Sequence, residues 1–78
     1  MDYVKKFKDY CTRKLNTLGD KIQYQSVWAT YEVESTRDGL MVNIYGIDNK
    51  IENVMSYDDW AEKYAIVPYY WLIGLGEL

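Results

Sequence analysis

No histidine occurs in this chain, and its one cysteine is Cys11. These two facts constrain the fold more than any other feature. A lone cysteine cannot close an intramolecular disulfide, and without histidine the usual zinc-ligand sets cannot be built. A chain of 78 residues buries only about 60% of the surface it exposes when unfolded, and domains of this size often depend on such staples. Here side-chain packing alone must hold the fold. The composition suits that task, with nine tyrosines, three tryptophans and one phenylalanine. Each aromatic removes on the order of 150–250 Å² from water when buried. The length predicts one domain spanning residues 1–78.

Residues 2–18 have the pattern of an amphipathic helix. Tyr3, Val4, Phe7, Tyr10, Cys11, Leu15 and Leu18 recur on one face, and Lys5, Lys6, Asp9, Thr12, Arg13, Asn16 and Thr17 cover the other. Gly19 is a natural stop. Asp2 and Asp9 lie within the basic face, so local ion pairs account for its lysines. A phosphate-binding helix built on Lys5, Lys6, Lys8, Arg13 and Lys14 is the competing use.

Residues 21–35, KIQYQSVWATYEVES, predict one long strand. Ile22 and Tyr24 share one parity, and Val27, Ala29, Tyr31 and Val33 share the other, so a bulge near Gln25–Ser26 is expected to bring both sets to the core face. Asp38-Gly39 suits a two-residue hairpin turn. That turn places Val33 opposite Ile44, Ser35 opposite Val42 and Tyr31 opposite Gly46. The other face then carries Trp28, Glu32, Glu34, Met41, Asn43, Tyr45 and Glu52. A second turn at Asp48-Asn49 leads to a third strand over 50–55, with Ile51, Asn53 and Met55 toward the core.

Ser56 followed by Asp59 resembles a capping box, and Asp58 and Asp59 suit the positive end of a helix dipole. Tyr57, Trp60, Ala61 and Tyr64 form the buried stripe of this helix. Pro68 ends it and is expected at the first position of a last short helix. The closing stretch PYYWLIGLGEL is apolar nearly all round, so it is either core or a self-association surface through Tyr69, Tyr70, Trp71 and Leu72. It is well short of the roughly 20 residues a membrane helix needs. The expected fold class is α+β: a single small domain of order α-β-β-β-α(α). Its three-stranded antiparallel meander is packed by an N-terminal amphipathic helix and C-terminal helices.

The residue types narrow the chemistry. Without histidine no Ser-His or Cys-His nucleophile pair exists. Cys11, in the middle of an apolar stripe, has the place of a small buried hydrophobe. Asp58, Asp59 and Glu62 have the spacing of a solvated helix start, with nothing to suggest a concave pocket around them. No enzyme activity, cofactor or metal site is expected. The element order resembles that of double-stranded RNA-binding domains, which place lysines at the start of their second helix. Here that place reads SYDDWAEKY, with two aspartates, and the match in function is lost. Residues 40–78 hold two basic and six acidic groups, and the whole chain carries a net charge of −3, so direct nucleic-acid binding is not expected.

Protein binding remains. The expected surface comprises Glu32, Glu34, Tyr45 and Glu52 from the sheet and Tyr57, Asp58, Asp59 and Glu62 from the second helix, facing a basic partner. Size, acidity and tyrosine content resemble the inhibitors that phages and mobile elements make against host defence proteins. Anti-CRISPR proteins are one such group, and some use carboxylates to imitate DNA phosphates. The resemblance implies a nucleic-acid-binding defence protein as partner, met in the host cytoplasm. One free cysteine and no apolar signal segment also predict a cytoplasmic location. The alternative is a homo-oligomeric structural or accessory protein that associates through its C-terminal segment.

Overall fold

The computed structural model describes residues 2–78. Its elements run α1 (Tyr3–Lys14), β1 (Lys21–Gln25), β2 (Thr30–Thr36), β3 (Gly39–Tyr45), β4 (Ile51–Ser56), α2 (Tyr57–Lys63) and α3 (Ile66–Gly74). The fold is α+β, with four strands rather than three. They form one antiparallel meander in the order β1-β2-β3-β4.

The extra strand comes from a hairpin inside the stretch expected to be one long strand. Gln25 pairs with Thr30, and Ser26 to Ala29 form the turn. The Ser26 hydroxyl accepts from the Trp28 and Ala29 N–H groups, both at 3.2 Å, and donates to the Ala29 carbonyl at 2.9 Å. A serine side chain thus does the work that glycine or asparagine usually does. The parity change between Tyr24 and Tyr31 is this turn and not a bulge. Val27, placed on the core face by parity alone, is instead at the tip of the turn and 85% exposed.

At the second hairpin the turn residues are Arg37-Asp38, and Gly39 follows at φ +102°. Glycine is used for the left-handed residue that closes the turn rather than for the turn itself. Val33 therefore pairs with Val42, and Tyr31 with Ile44. This is two residues away from the expected register. A shift of two preserves parity, so the core face is still Tyr31, Val33, Val42 and Ile44, all buried.

Two rows cross that face: Ile22, Val33, Val42 and Met55, then Tyr24, Tyr31, Ile44 and Asn53. A bulge between the second row and the Tyr45–Ile51 pair leaves Glu52 as the extra residue. Ile51 is thereby placed opposite Tyr45 and is exposed, contrary to its expected core position.

The helices cover this one face through a cluster of rings. The Phe7 ring lies 4.6 Å from Trp71, 6.2 Å from Tyr57 and 6.4 Å from Trp60. Trp71 also stacks on Tyr24 at 5.4 Å, and Trp60 packs on Tyr31 at 5.8 Å. Pairs of this kind are worth about 0.5–1.5 kcal/mol each beyond the area they bury. Among the described residues Trp60 Nε1 is the one buried side-chain polar atom without a hydrogen-bond partner.

Helix α1 ends a turn before its apolar pattern does, because Leu15 leaves helical geometry at φ −102°, ψ 61°. Asn16 to Asp20 then form a turn, and Leu18 is exposed. The Ser56 cap is present, with the Asp59 N–H donating to its hydroxyl at 3.2 Å. Pro68 is the third residue of α3, not the first. A missing N–H is tolerated there because the first four helical N–H groups have no intrahelical acceptor.

Candidate protein-binding surfaces

The tail is core. Trp71 and Leu72, proposed for self-association, are buried with Val67 and Pro68. Tyr69 is half-buried against Tyr3, with ring centroids 4.6 Å apart. Of the four candidate association residues only Tyr70 is well exposed. It shares the outer face of α3 with Ile66 and Ile73, which are also exposed and lie at helical spacing. The tail packs on the α1 side of the sheet and leaves Trp28 and Tyr45 uncovered.

With every helix on one side, the opposite sheet face is open. A row crosses it from Gln23 through Glu32 and Asn43 to Val54. Glu32 is only 4% exposed and Asn43 only 8%, although no helix covers them. Gln23 Nε2 donates to Glu32 Oε2 at 2.7 Å. Asn43 Nδ2 and the Tyr45 hydroxyl both donate to Glu32 Oε1, at 2.9 and 3.0 Å. Asn43 Nδ2 is also within 3.1 Å of Glu34 Oε1. Burial pushes the Glu32 carboxyl up. The hydrogen bonds from Asn43, Gln23 and Tyr45, with the charge of Lys21, more than offset it and hold the group below the usual carboxylate range. The bond to Glu32 pushes the Tyr45 phenol up. Glu32 is therefore a satisfied internal carboxylate, with Glu34 and Tyr45 half-buried and Gln23 exposed around it.

The β1–β2 and β3–β4 turns lie at the same end of the sheet. They carry Val27 (85% exposed), Trp28 (71%) and Ile47 (96%), the three most exposed large apolar side chains among the described residues. Between them is a cleft of about 360 Å³, lined by Trp28, Thr30, Gly46, Ile47 and Asn49 among others. Asn49, at φ +64°, closes the second turn. The Glu52 carboxylate lies where a Cβ on Gly46 would be, so Glu52 belongs to this end of the molecule. Sequence reasoning missed Val27 and Ile47. The signal available was their occurrence beside turn residues, where exposed apolar side chains are errors unless functional.

The second-helix candidates form a different surface. Tyr57 is buried, and its hydroxyl donates to the Val4 carbonyl at 2.6 Å. It joins α2 to α1 and is not available to a partner. Asp58 is exposed and paired with Lys8 at 3.0 Å. Asp59 and Glu62 line a groove of about 470 Å³ with Asn53, Met55 and Lys63. Helix α2 packs its Tyr57–Trp60–Ala61 face inward on the layer that holds the core, so these carboxylates and those of the open face do not meet.

The chain was compared with family models, curated proteins and solved structures, and none matches it. Among the described residues no helix is long and apolar enough to cross a membrane.

Proposed function

We propose that this protein is a small binding module that docks on another protein through the turn end of its sheet. One observation carries the reading: Val27, Trp28 and Ile47 project together beside a cleft. Nothing in the fold requires them to be apolar. Exposed aromatic and aliphatic anchors in one patch are the composition of an interface centre. Tyr45, in the row beside the turns, continues the patch onto the open face, and Glu52 and Asp48 border it with carboxylates, which suits a basic partner.

An inhibitor made by a phage or mobile element against a nucleic-acid-binding defence protein is the specific form of this reading. What supports that form is the net charge of −3 on so small a chain, together with carboxylates set beside apolar anchors. The test uses two baits, the natural protein and a Trp28→Ser/Ile47→Ser variant, against nuclease-treated lysate of the source cell or its host. A stoichiometric protein retained by the first bait and lost from the second is the expected result. Equal retention by both baits would remove the turn end as the site.

A second reading is self-association, favoured by the exposed Ile66, Tyr70 and Ile73 on α3. No charged residue occurs between Lys63 and Glu77, so two such faces can meet without repulsion. A mass that rises with concentration, and returns to the monomer in Tyr70→Lys, would favour it.

A further inference from the structure

Strand β4 is an edge of the sheet, and its backbone on that side is unpaired by any other strand. Residues Ile51 to Val54 are all exposed. The Val54 N–H is bonded to the Asn53 side-chain oxygen at 2.8 Å, so it faces away from β3 and its acceptor is a replaceable local group. Along this edge runs the groove between β4 and α2, floored by Met55 and bordered by Asp59 and Glu62 against the single ammonium of Lys63. An open strand edge beside a helix-walled groove is the arrangement that accepts an added strand. Main-chain bonds give the affinity, and alternate side chains enter the groove.

The geometry points to β4 and the α2 groove as a docking site for an extended, basic segment of a partner protein, added as a fifth strand. Alternate side chains of such a segment point to opposite faces. On the groove side a lysine or arginine can lay its stem along Met55 and bring its charge to Asp59 and Glu62. On the other side the segment lies beside Val54, which is exposed and apolar. The favoured pattern is therefore basic and apolar residues in alternation. A second copy of β4 fits less well, because two-fold pairing brings the Glu52, Asp59 and Glu62 carboxylates of both copies together. This inference rests on the reading of the protein as a binding module but uses a different surface from the turn end.

The probe is a blocked peptide of alternating lysine and valine, with a glutamate–valine twin as control, titrated into the isotope-labelled protein and followed by amide chemical shifts. The lysine peptide is expected to move the amides of 51–56 and of α2, and the twin is not. Val54→Pro removes the outward N–H at an edge position that tolerates proline. It should weaken binding about tenfold, the cost of one hydrogen bond lost from a shielded site. Asp59→Lys/Glu62→Lys, which leaves the backbone untouched, should abolish the preference for the lysine peptide. Shifts that map to the open face or the turn end would overturn the assignment, as would undiminished binding by both variants or no shifts at all. A partner captured through Trp28 and Ile47 that leaves the β4 amides unmoved would sink this inference alone.

Discussion

Glu32 and Asn43 face each other across β2 and β3, with Asn43 Nδ2 2.9 Å from Glu32 Oε1. Both are nearly inaccessible on the sheet face that no helix covers. Their neighbours in the same and adjacent rows, Gln23, Glu34 and Tyr45, complete the shielding and the hydrogen bonds. A polar network of this kind is worth having only when every member is satisfied. Glu32→Ala leaves the Gln23 and Tyr45 donors without their partner and Asn43 with only its longer bond to Glu34. It should cost about 2 kcal/mol in urea unfolding, the scale for bonds to a charged acceptor.

The same carboxylate predicts an acid dependence. Its folded-state value lies below its ordinary one. Its contribution is therefore complete above the unfolded carboxylate range and is lost as pH falls through the folded value. The stability gap between the natural protein and Glu32→Ala should narrow steadily in acid. A gap that does not change between neutral and acid pH would show that the ionised form contributes nothing.

Tyr57 ties the start of α2 to the start of α1 through its bond to the Val4 carbonyl. Tyr57→Phe keeps the ring against Phe7 and Trp60 and removes only that bond. It should cost about 1 kcal/mol, read as a fall in Tm of about 4–8 °C for a domain of this size. A loss much larger than this would mean that the hydroxyl holds more than the one contact.

Cys11 lies fully buried on the inner face of α1, and burial pushes its thiol up to about 12. A thiol-specific reagent should label it only as fast as the protein opens, and denaturant should release the reaction. Because the thiol is raised, its contribution is complete below its unfolded value and falls as pH rises toward the folded one. Rapid labelling under native conditions would place Cys11 in a locally open region.

Two substitutions of large aromatic residues should behave oppositely. Trp71→Ala removes a ring that touches Phe7, Tyr24 and Trp60 and should cost about 3–5 kcal/mol, enough to threaten the fold of a small domain. Trp28→Ser removes the exposed ring and should change stability by no more than about 0.5 kcal/mol. Thermal melts of the two variants decide it. A large loss from Trp28→Ser would assign that ring to the structure and not to a partner.

What was readable in the sequence follows from which signals are local. The periodicity of α1, the Ser56 cap and the alternation of β2 and β3 depend only on neighbours along the chain, and the structure has all three. Strand β1 was hidden because its hairpin turn relies on the Ser26 hydroxyl alone and contains no glycine, proline, asparagine or aspartate. The β2–β3 register slipped because an Asp-Gly pair serves two turn geometries, differing in whether glycine is inside the turn or closes it. The site was less legible than the fold. Alternation places Glu32, Glu34 and Tyr45 on one face, but it does not distinguish a carboxylate consumed by three donors from one free to bind. Tyr57 was misplaced for a related reason, since a tyrosine on a buried stripe still needs a partner for its hydroxyl. That partner, the Val4 carbonyl, is far away in sequence.

The order in which this core closes has a consequence for synthesis. Each strand of the meander pairs with the one made just before it, so the sheet is built from local contacts that can form quickly. The ring cluster is different, because Phe7 from the first helix must wait for Trp60 and then Trp71. Until α3 has been made, Phe7 and Tyr24 lack the Trp71 ring that packs on both, and that part of the apolar face stays open. A nascent chain in that state exposes the kind of surface that aggregates or recruits chaperones. For this protein, the vulnerable interval ends only when α3 arrives.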